Sequence, residues 1–123
     1  MAVKLNTTLR NARATAIVTE AGATAKLTVY TAAYGAPLYT STCAAVLGTV
    51  TGGVLTFNAV GNATASAAGT AAIARLFKTD GTTMVAEGLT VGVSGSNINI
   101  TNTTIAVSDV ITTTSGTITE GNP

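Results

Sequence analysis

The side chains able to do chemistry are few, and most of the residue combinations on which enzymes rely are missing. The acidic residues are Glu20, Asp80, Glu87, Asp109 and Glu120, and the chain contains no histidine. Without imidazole there is no neutral-pH base of the usual kind, no Ser-His-Asp triad and no histidine metal ligand. A pair such as Glu87 and Asp109 could meet across a sheet and mimic a glycosidase pair. Asp80 precedes Gly81 and is explained by a turn, and Glu120 by a tail. Cys43 is the single cysteine. It cannot form an intramolecular disulfide, it has no histidine to activate it, and its setting, Thr42-Cys43-Ala44-Ala45-Val46, suits a small buried hydrophobe. One cysteine and no histidine do not make an ordinary zinc site, and no spaced acidic loop suggests calcium. Gly92-Val93-Ser94-Gly95 lacks the Lys-Ser/Thr of a phosphate-binding loop and reads as a turn. The expectation is a protein that is not an enzyme and has no cofactor and no metal.

Binding is the remaining class of function. Tyr30, Tyr34 and Tyr39 are the only tyrosines and lie close together in the sequence. Tyrosine is enriched at interfaces, so they are a candidate contact patch, with cover for the rim of the fold as the alternative. Lys4, Arg10, Arg13, Lys26, Arg75 and Lys78 are scattered, without a basic run or an aromatic series, which argues against nucleic acid. No segment is long and apolar enough for a membrane span, and no apolar stretch follows Lys4 as in a secretory signal. The Asn-x-Thr sequons at Asn6, Asn62, Asn99 and Asn102 are what a Thr-rich chain produces by chance.

The elements that would carry these residues are mostly strands. One helix is expected over Thr8–Ala21, capped by Asn6 or Thr7, stopped at Gly22, and packed through Leu9, Ala12, Ala16 and Ile17. After Gly22 the period changes to two. Strands are expected over residues 25–31, with Leu27 and Val29 on one face, over 43–51 and over 54–60, the last two joined by Gly52-Gly53. Residues 34–40 contain Gly35 and Pro37 and read as a loop or a broken edge strand. Ile73, Arg75 and Phe77 alternate with Ala74 and Leu76 before the Asp80-Gly81 turn, and residues 82–89 return as the second arm of the clearest hairpin. Strands follow around Ile98 and Ile100, a short segment at Ile105 and Val107, and a long strand over 109–120 with Gly116 as a possible bulge. This is a single domain, 1–123: an N-terminal arm (1–7), a helix (8–21), strands (25–120) and a tail (121–123). The fold class is mainly β, a jelly-roll-like or Greek-key β-sandwich with one N-terminal α-helix.

The chain has 123 residues, enough for one core. Hydrophobic residues make up 46% of it, but alanine supplies much of that share, so the core must be thin. Charged residues are only 9%, where about 25% is ordinary. Low charge with high β propensity suits a protein covered by partners in a permanent assembly better than a free monomer; a secreted Thr-rich β domain is the other reading.

The order of several short segments also resembles a known family. Leu9-Arg10-Asn11-Ala12 leads to a helix ending Glu20-Ala21-Gly22. Leu27-Thr28-Val29-Tyr30-Thr31 leads to Gly35-Ala36-Pro37. Asp80-Gly81-Thr82-Thr83, Gly92-Val93-Ser94-Gly95-Ser96 and Thr117-Ile118-Thr119-Glu120-Gly121-Asn122 follow. The chain resembles small virion proteins of tailed phages encoded among the head genes. That resemblance implies a jelly-roll-like decoration or cement protein made in the bacterial cytoplasm and carried on the phage capsid. Its partners would be the major capsid protein and copies of itself, as a homo-oligomer in a larger assembly. The contacts expected are Ala2, Val3, Lys4 and Leu5 in the arm, Tyr30, Tyr34 and Tyr39, and Gly121, Asn122 and Pro123 in the tail. The alternatives are another virion component, such as a tail or connector protein, or a carbohydrate- or receptor-binding β-sandwich module.

Overall fold

A computed structural model describes residues 6–119. It opens with helix α1 (Thr7–Ala21), whose ends follow from local chemistry. The Asn6 side chain accepts a hydrogen bond from the Leu9 N–H at 2.8 Å, and Gly22 closes the helix at φ 69° with its N–H on the Val18 carbonyl. Asn6 and Thr7 therefore belong to the helix start and not to an arm. The packed face differs from the expected one. Leu9, Ala12 and Ala16 are exposed, while Ala14 and Ala21 are buried and Asn11, Ile17 and Val18 half-buried. The inward stripe is offset because small residues let the helix approach the sheet, and Asn11 reaches in to accept a hydrogen bond from the Gly53 N–H at 2.7 Å.

Twelve strands follow: β1 (Lys26–Tyr30), β2 (Pro37–Thr42), β3 (Gly48–Thr51), β4 (Val54–Phe57), β5 (Ala63–Thr64), β6 (Gly69–Thr70), β7 (Ile73–Phe77), β8 (Met84–Gly92), β9 (Ile98–Ile100), β10 (Thr104–Ile105), β11 (Val110–Ile111) and β12 (Thr113–Thr119). A short 3-10 turn, Ala32–Tyr34, links β1 to β2. Eight strands form one curled sheet in the order β2-β1-β7-β8-β9-β12-β4-β3. Two antiparallel four-strand halves, β2-β1-β7-β8 and β9-β12-β4-β3, are joined by the parallel pair β8–β9. The fold is mainly β with one helix, as expected for a β-sandwich of this kind, with the two halves continuous through β8 and β9.

Both expected hairpins form. Gly52 and Gly53 turn β3 into β4 with φ of 60° and 78°, the doubly positive backbone that a two-residue hairpin loop requires. A Cβ on Gly53 would also meet the Arg10 guanidinium at 2.8 Å, the flexible end of a side chain that can move aside, so the positive φ is what calls for glycine there. The Asp80-Gly81 turn joins β7 and β8. Residues 43–47, expected as strand, are irregular and only Gly48–Thr51 pairs; Cys43 and Leu47 are buried in that stretch. The long terminal strand is broken at Thr112 into β11 and β12. Gly116 is not the bulge: the register shift lies between Thr113 and Ser115, and a Cβ on Gly116 would meet the Phe57 ring at 3.1 Å.

The core is one cluster, led by Leu27, Leu38, Leu47, Leu55, Leu76, Ile98 and Ile100. Burial pushes the Cys43 thiol up to about 11 against the opposing charge of Lys26, which keeps it a neutral thiol at ordinary pH.

The Asp80 turn gives a pH-dependent term with a definite sign. Its carboxylate accepts from the Thr83 hydroxyl at 2.6 Å and from the Thr83 and Thr82 N–H groups, each at 2.8 Å. The Thr83 hydroxyl foremost, with those two amides, lowers its pKa from 3.8 to about 2. A carboxylate with a depressed folded-state pKa stabilises the fold fully above its unfolded value and loses that contribution as pH falls through the folded one. Urea unfolding should therefore find wild type more stable than Asp80→Asn at pH 6, with the gap closing between about pH 4 and pH 2. A gap that persists unchanged at pH 2 would contradict this assignment.

Candidate functional site

The register of β1 and β7 decides which side chains can form a site. Leu27 lies opposite Leu76 and Val29 opposite Ala74, and all four are fully buried on the inner face. Thr28 opposite Arg75 and Tyr30 opposite Ile73 must then project from the other face. Arg75, one of the scattered cations in the sequence, is thereby placed beside Tyr30.

The chain leaving β1 folds back over this outer face. Thr31 closes the loop twice: its N–H donates to the Ala36 carbonyl at 3.0 Å, and its hydroxyl accepts from the Ala36 N–H at 2.9 Å. Inside the loop Ala33 and Tyr34 both have φ of 56°. Two successive residues with side chains in the left-handed region cost about 1–2 kcal/mol each, so something must hold them there. The Tyr34 ring lies 3.8 Å from the Arg75 guanidinium carbon, and its hydroxyl accepts from the Gly88 N–H at 2.6 Å. That donor is free because β8 carries an extra residue between the pairs Ala74–Leu89 and Leu76–Ala86, a bulge in which Gly88 has φ of 77°.

Tyr30 completes the cluster. Its ring meets that of Tyr34 edge to face, with centroids 5.4 Å apart at 79°, and lies 5.4 Å from the Arg75 guanidinium carbon. Glu87 approaches Arg75 Nε at 3.4 Å. This is an ion-pair contact and not an aligned hydrogen bond, since Nε is buried and has no hydrogen-bond partner. Desolvation works against the charge on Arg75, but a hydrogen bond with Tyr30 and the carboxylate of Glu87 outweigh it and raise its pKa. Stacking over the two rings sets the cation against their electron-rich faces, a favourable contact. The result is a stiff, half-exposed platform of two tyrosines, an arginine and a glutamate.

The structure brings Tyr30 and Tyr34 together and separates Tyr39 from them. Tyr39 lies opposite Val29 and so faces the core at 3% exposure, which removes it from any contact surface in this fold. Its hydroxyl and that of Ser41, two residues on and also buried, lack partners. Burial drives the Tyr39 pKa upward, so the phenol stays neutral. Ala2, Val3, Lys4 and Leu5, and Gly121, Asn122 and Pro123, lie outside the described residues.

The two carboxylates that could have paired are engaged separately. Glu87 meets Arg75, and Asp109 accepts from the Ala106 N–H at 2.9 Å in its own turn. A cavity of about 180 Å³ lies between residues 57–60 and 113–116, and no ionisable side chain lines it. Among the described residues no three Asp, Glu, Cys or His side chains gather into a potential metal site, and no helix is long and apolar enough to cross a membrane. No family model matches the chain, and no curated protein and no solved structure matches it.

Two tyrosine variants separate the platform from the core. Tyr34→Phe removes one hydrogen bond to a backbone amide and should cost about 1 kcal/mol in chemical denaturation. Tyr39→Phe removes a buried hydroxyl that has no partner and should leave stability unchanged or raise it. Equal losses for both would show that Tyr39 has a polar partner after all.

Proposed function

We propose that this protein is a non-enzymatic component of a phage virion, a decoration or cement protein that binds the outside of a capsid shell and ties neighbouring capsomers together. The observation that carries the reading is the Tyr30–Tyr34–Arg75 platform. It is stiff, half-exposed and held by a strained turn, on a chain with unusually little surface charge. Strain of this kind persists at places where a fixed geometry is used, and aromatic and arginine side chains are the usual anchors of protein contacts. The segment resemblance given above supplies the identity of the assembly.

The mechanism is thermodynamic. A protein that binds the assembled shell and not its separated subunits stabilises the shell by mass action, about 2.7 kcal/mol per site at a hundred times Kd. Many copies on a symmetric lattice add avidity. In this scheme Tyr30 and Tyr34 make contacts, and residues 2–5 and 121–123 hook onto neighbouring subunits.

A glycan- or receptor-binding role is the second reading. It is favoured by the same half-exposed rings beside Arg75 and Glu87, since aromatic faces next to polar groups also hold sugars.

Co-sedimentation with shells lacking the protein, followed by melting of the shells, decides between them. Stoichiometric binding, a raised shell melting temperature and loss of both in Tyr34→Ala, with the variant's own fold intact by circular dichroism, are the expected results. Failure to bind shells, with binding to immobilised glycans instead, would overturn the cement role.

A further inference from the structure

The short ladders β5–β11 and β6–β10 are two ends of one ribbon. Thr64 pairs with Val110 and Thr70 with Thr104, so equal lengths of chain, 65–68 and 106–109, separate the two ladders, and the second of them forms a turn closed by the Asp109 N–H on the Ala106 carbonyl. The β5–β11 ladder is extended by the Ala65 N–H on the Asp109 carbonyl at 2.8 Å and the Ser108 N–H on the Ala65 carbonyl at 2.9 Å. One face of this ribbon packs inward through Ala63, Ala65, Ile105 and Ile111. The other is exposed and carries Thr64, Thr70, Thr104 and Val110, with Val107 projecting from the adjoining turn. Val107 and Val110 are 59% and 65% exposed, among the most exposed large apolar side chains of the described residues.

No Asp, Glu, Lys or Arg occurs between Lys26 and Arg75, and Asp109 is the only one between Glu87 and Glu120. The ribbon therefore carries a single charge, and the Asp109 carboxylate is already bonded to the Ala106 N–H. Lys26, Arg75, Lys78, Asp80 and Glu87 all lie on β1, β7, β8 and their turn. The outer edge of the ribbon is blunted by side chains, Asn102 taking the Thr104 N–H at 2.9 Å and Asp109 that of Ala106. The face remains available where part of the edge is closed.

We propose that two copies of this protein associate face to face through the ribbon, burying Val107 and Val110. Charge matching selects the occupant. Laid on a charged surface such as the outer face of β1, β7 and β8, the ribbon would strip water from ions without pairing them, which is costly. The ribbon of a second copy offers valine and threonine side chains, and its one charge, Asp109, is already bonded within its own turn, which lowers this cost. Thr, Val, Ala and Ser side chains also lose little rotamer freedom on burial. The association agrees with the homo-oligomer that the virion reading implies, but it rests on the ribbon and is measured on the free protein.

Sedimentation of wild type, of Val107→Lys/Val110→Lys and of Val93→Lys over a concentration series tests it. Val93 is equally exposed, at 60%, but lies in the turn after β8. Expected are a wild-type dimer whose Kd does not weaken between low salt and 1 M NaCl, a weakening of about a hundredfold or more in the double variant, and no change in Val93→Lys. Well below the wild-type Kd the melting temperatures should be alike for all three, because every substituted side chain is exposed; at higher concentration dimerisation raises those of wild type and Val93→Lys. A monomeric wild type at its solubility limit overturns the proposal whatever the shells do, as does a double variant that dimerises like wild type.

Discussion

The pairing of β1 with β7 is the constraint on which the rest of the molecule depends. It sits near the middle of one four-strand half and sets Leu27 against Leu76 and Val29 against Ala74. Because side chains alternate across a strand, a slip of β7 by one residue against β1 would turn Leu76 and Ala74 outward and carry Arg75 into the core. Burying an arginine without a full set of partners costs several kcal/mol, so the apolar and charged residues enforce the same register. The platform is thus a consequence of core packing: once Leu76 is inside, Arg75 has to be outside and next to Tyr30.

Scarcity of charge shapes the remainder. The few ions are satisfied close to home: Glu20 with Lys78 at 3.0 Å, Arg75 with Glu87, Asp80 within its turn and Asp109 within its own. Exposed pairs of this kind contribute little stability, and once paired they do little to keep molecules apart. A β-rich protein in that position is exposed to strand-to-strand association, and it manages its edges accordingly. Strand β2 begins at Pro37, and its outer side is met by the Gly61 N–H on the Thr42 carbonyl and the Ser66 N–H on the Leu38 carbonyl, each at 2.9 Å. Such closures direct association towards faces, where side chains decide the partner.

Local chemistry was legible in the sequence, and the two ends of α1, both hairpin turns and the alternation of Ile73, Arg75 and Phe77 against Ala74 and Leu76 follow from it directly. The inner face of the helix was not, because Ala14 and Ala21 carry too little apolar area to reveal a stripe beside the larger Leu9. Residues 43–47 look like strand by composition; Cys43 and Leu47 are buried there without a ladder. Tyr39 was misplaced because its direction depends on pairing with Val29, and the shift in register near Tyr30 hides that from any count along the chain. Arg75 was missed as a site residue for the same reason. Its neighbours Tyr30 and Tyr34 lie more than forty positions away, and only β1–β7 pairing joins them.

The turn carrying Tyr34 combines these threads. A chain with so thin a core has little stability to spare, and two left-handed residues consume some of it. Glycine at position 33 or 34 would remove part of that cost, but glycine at 34 would leave Arg75 without its covering ring and the Gly88 N–H without its acceptor. The strain and the clamp therefore belong together: the backbone is held because the ring is held at both ends, by a cation on its face and an amide on its hydroxyl. A side chain fixed in this way has little rotamer freedom left to lose when a partner covers it. On a surface with few charges to guide recognition, rigid shape is the main source of specificity that remains.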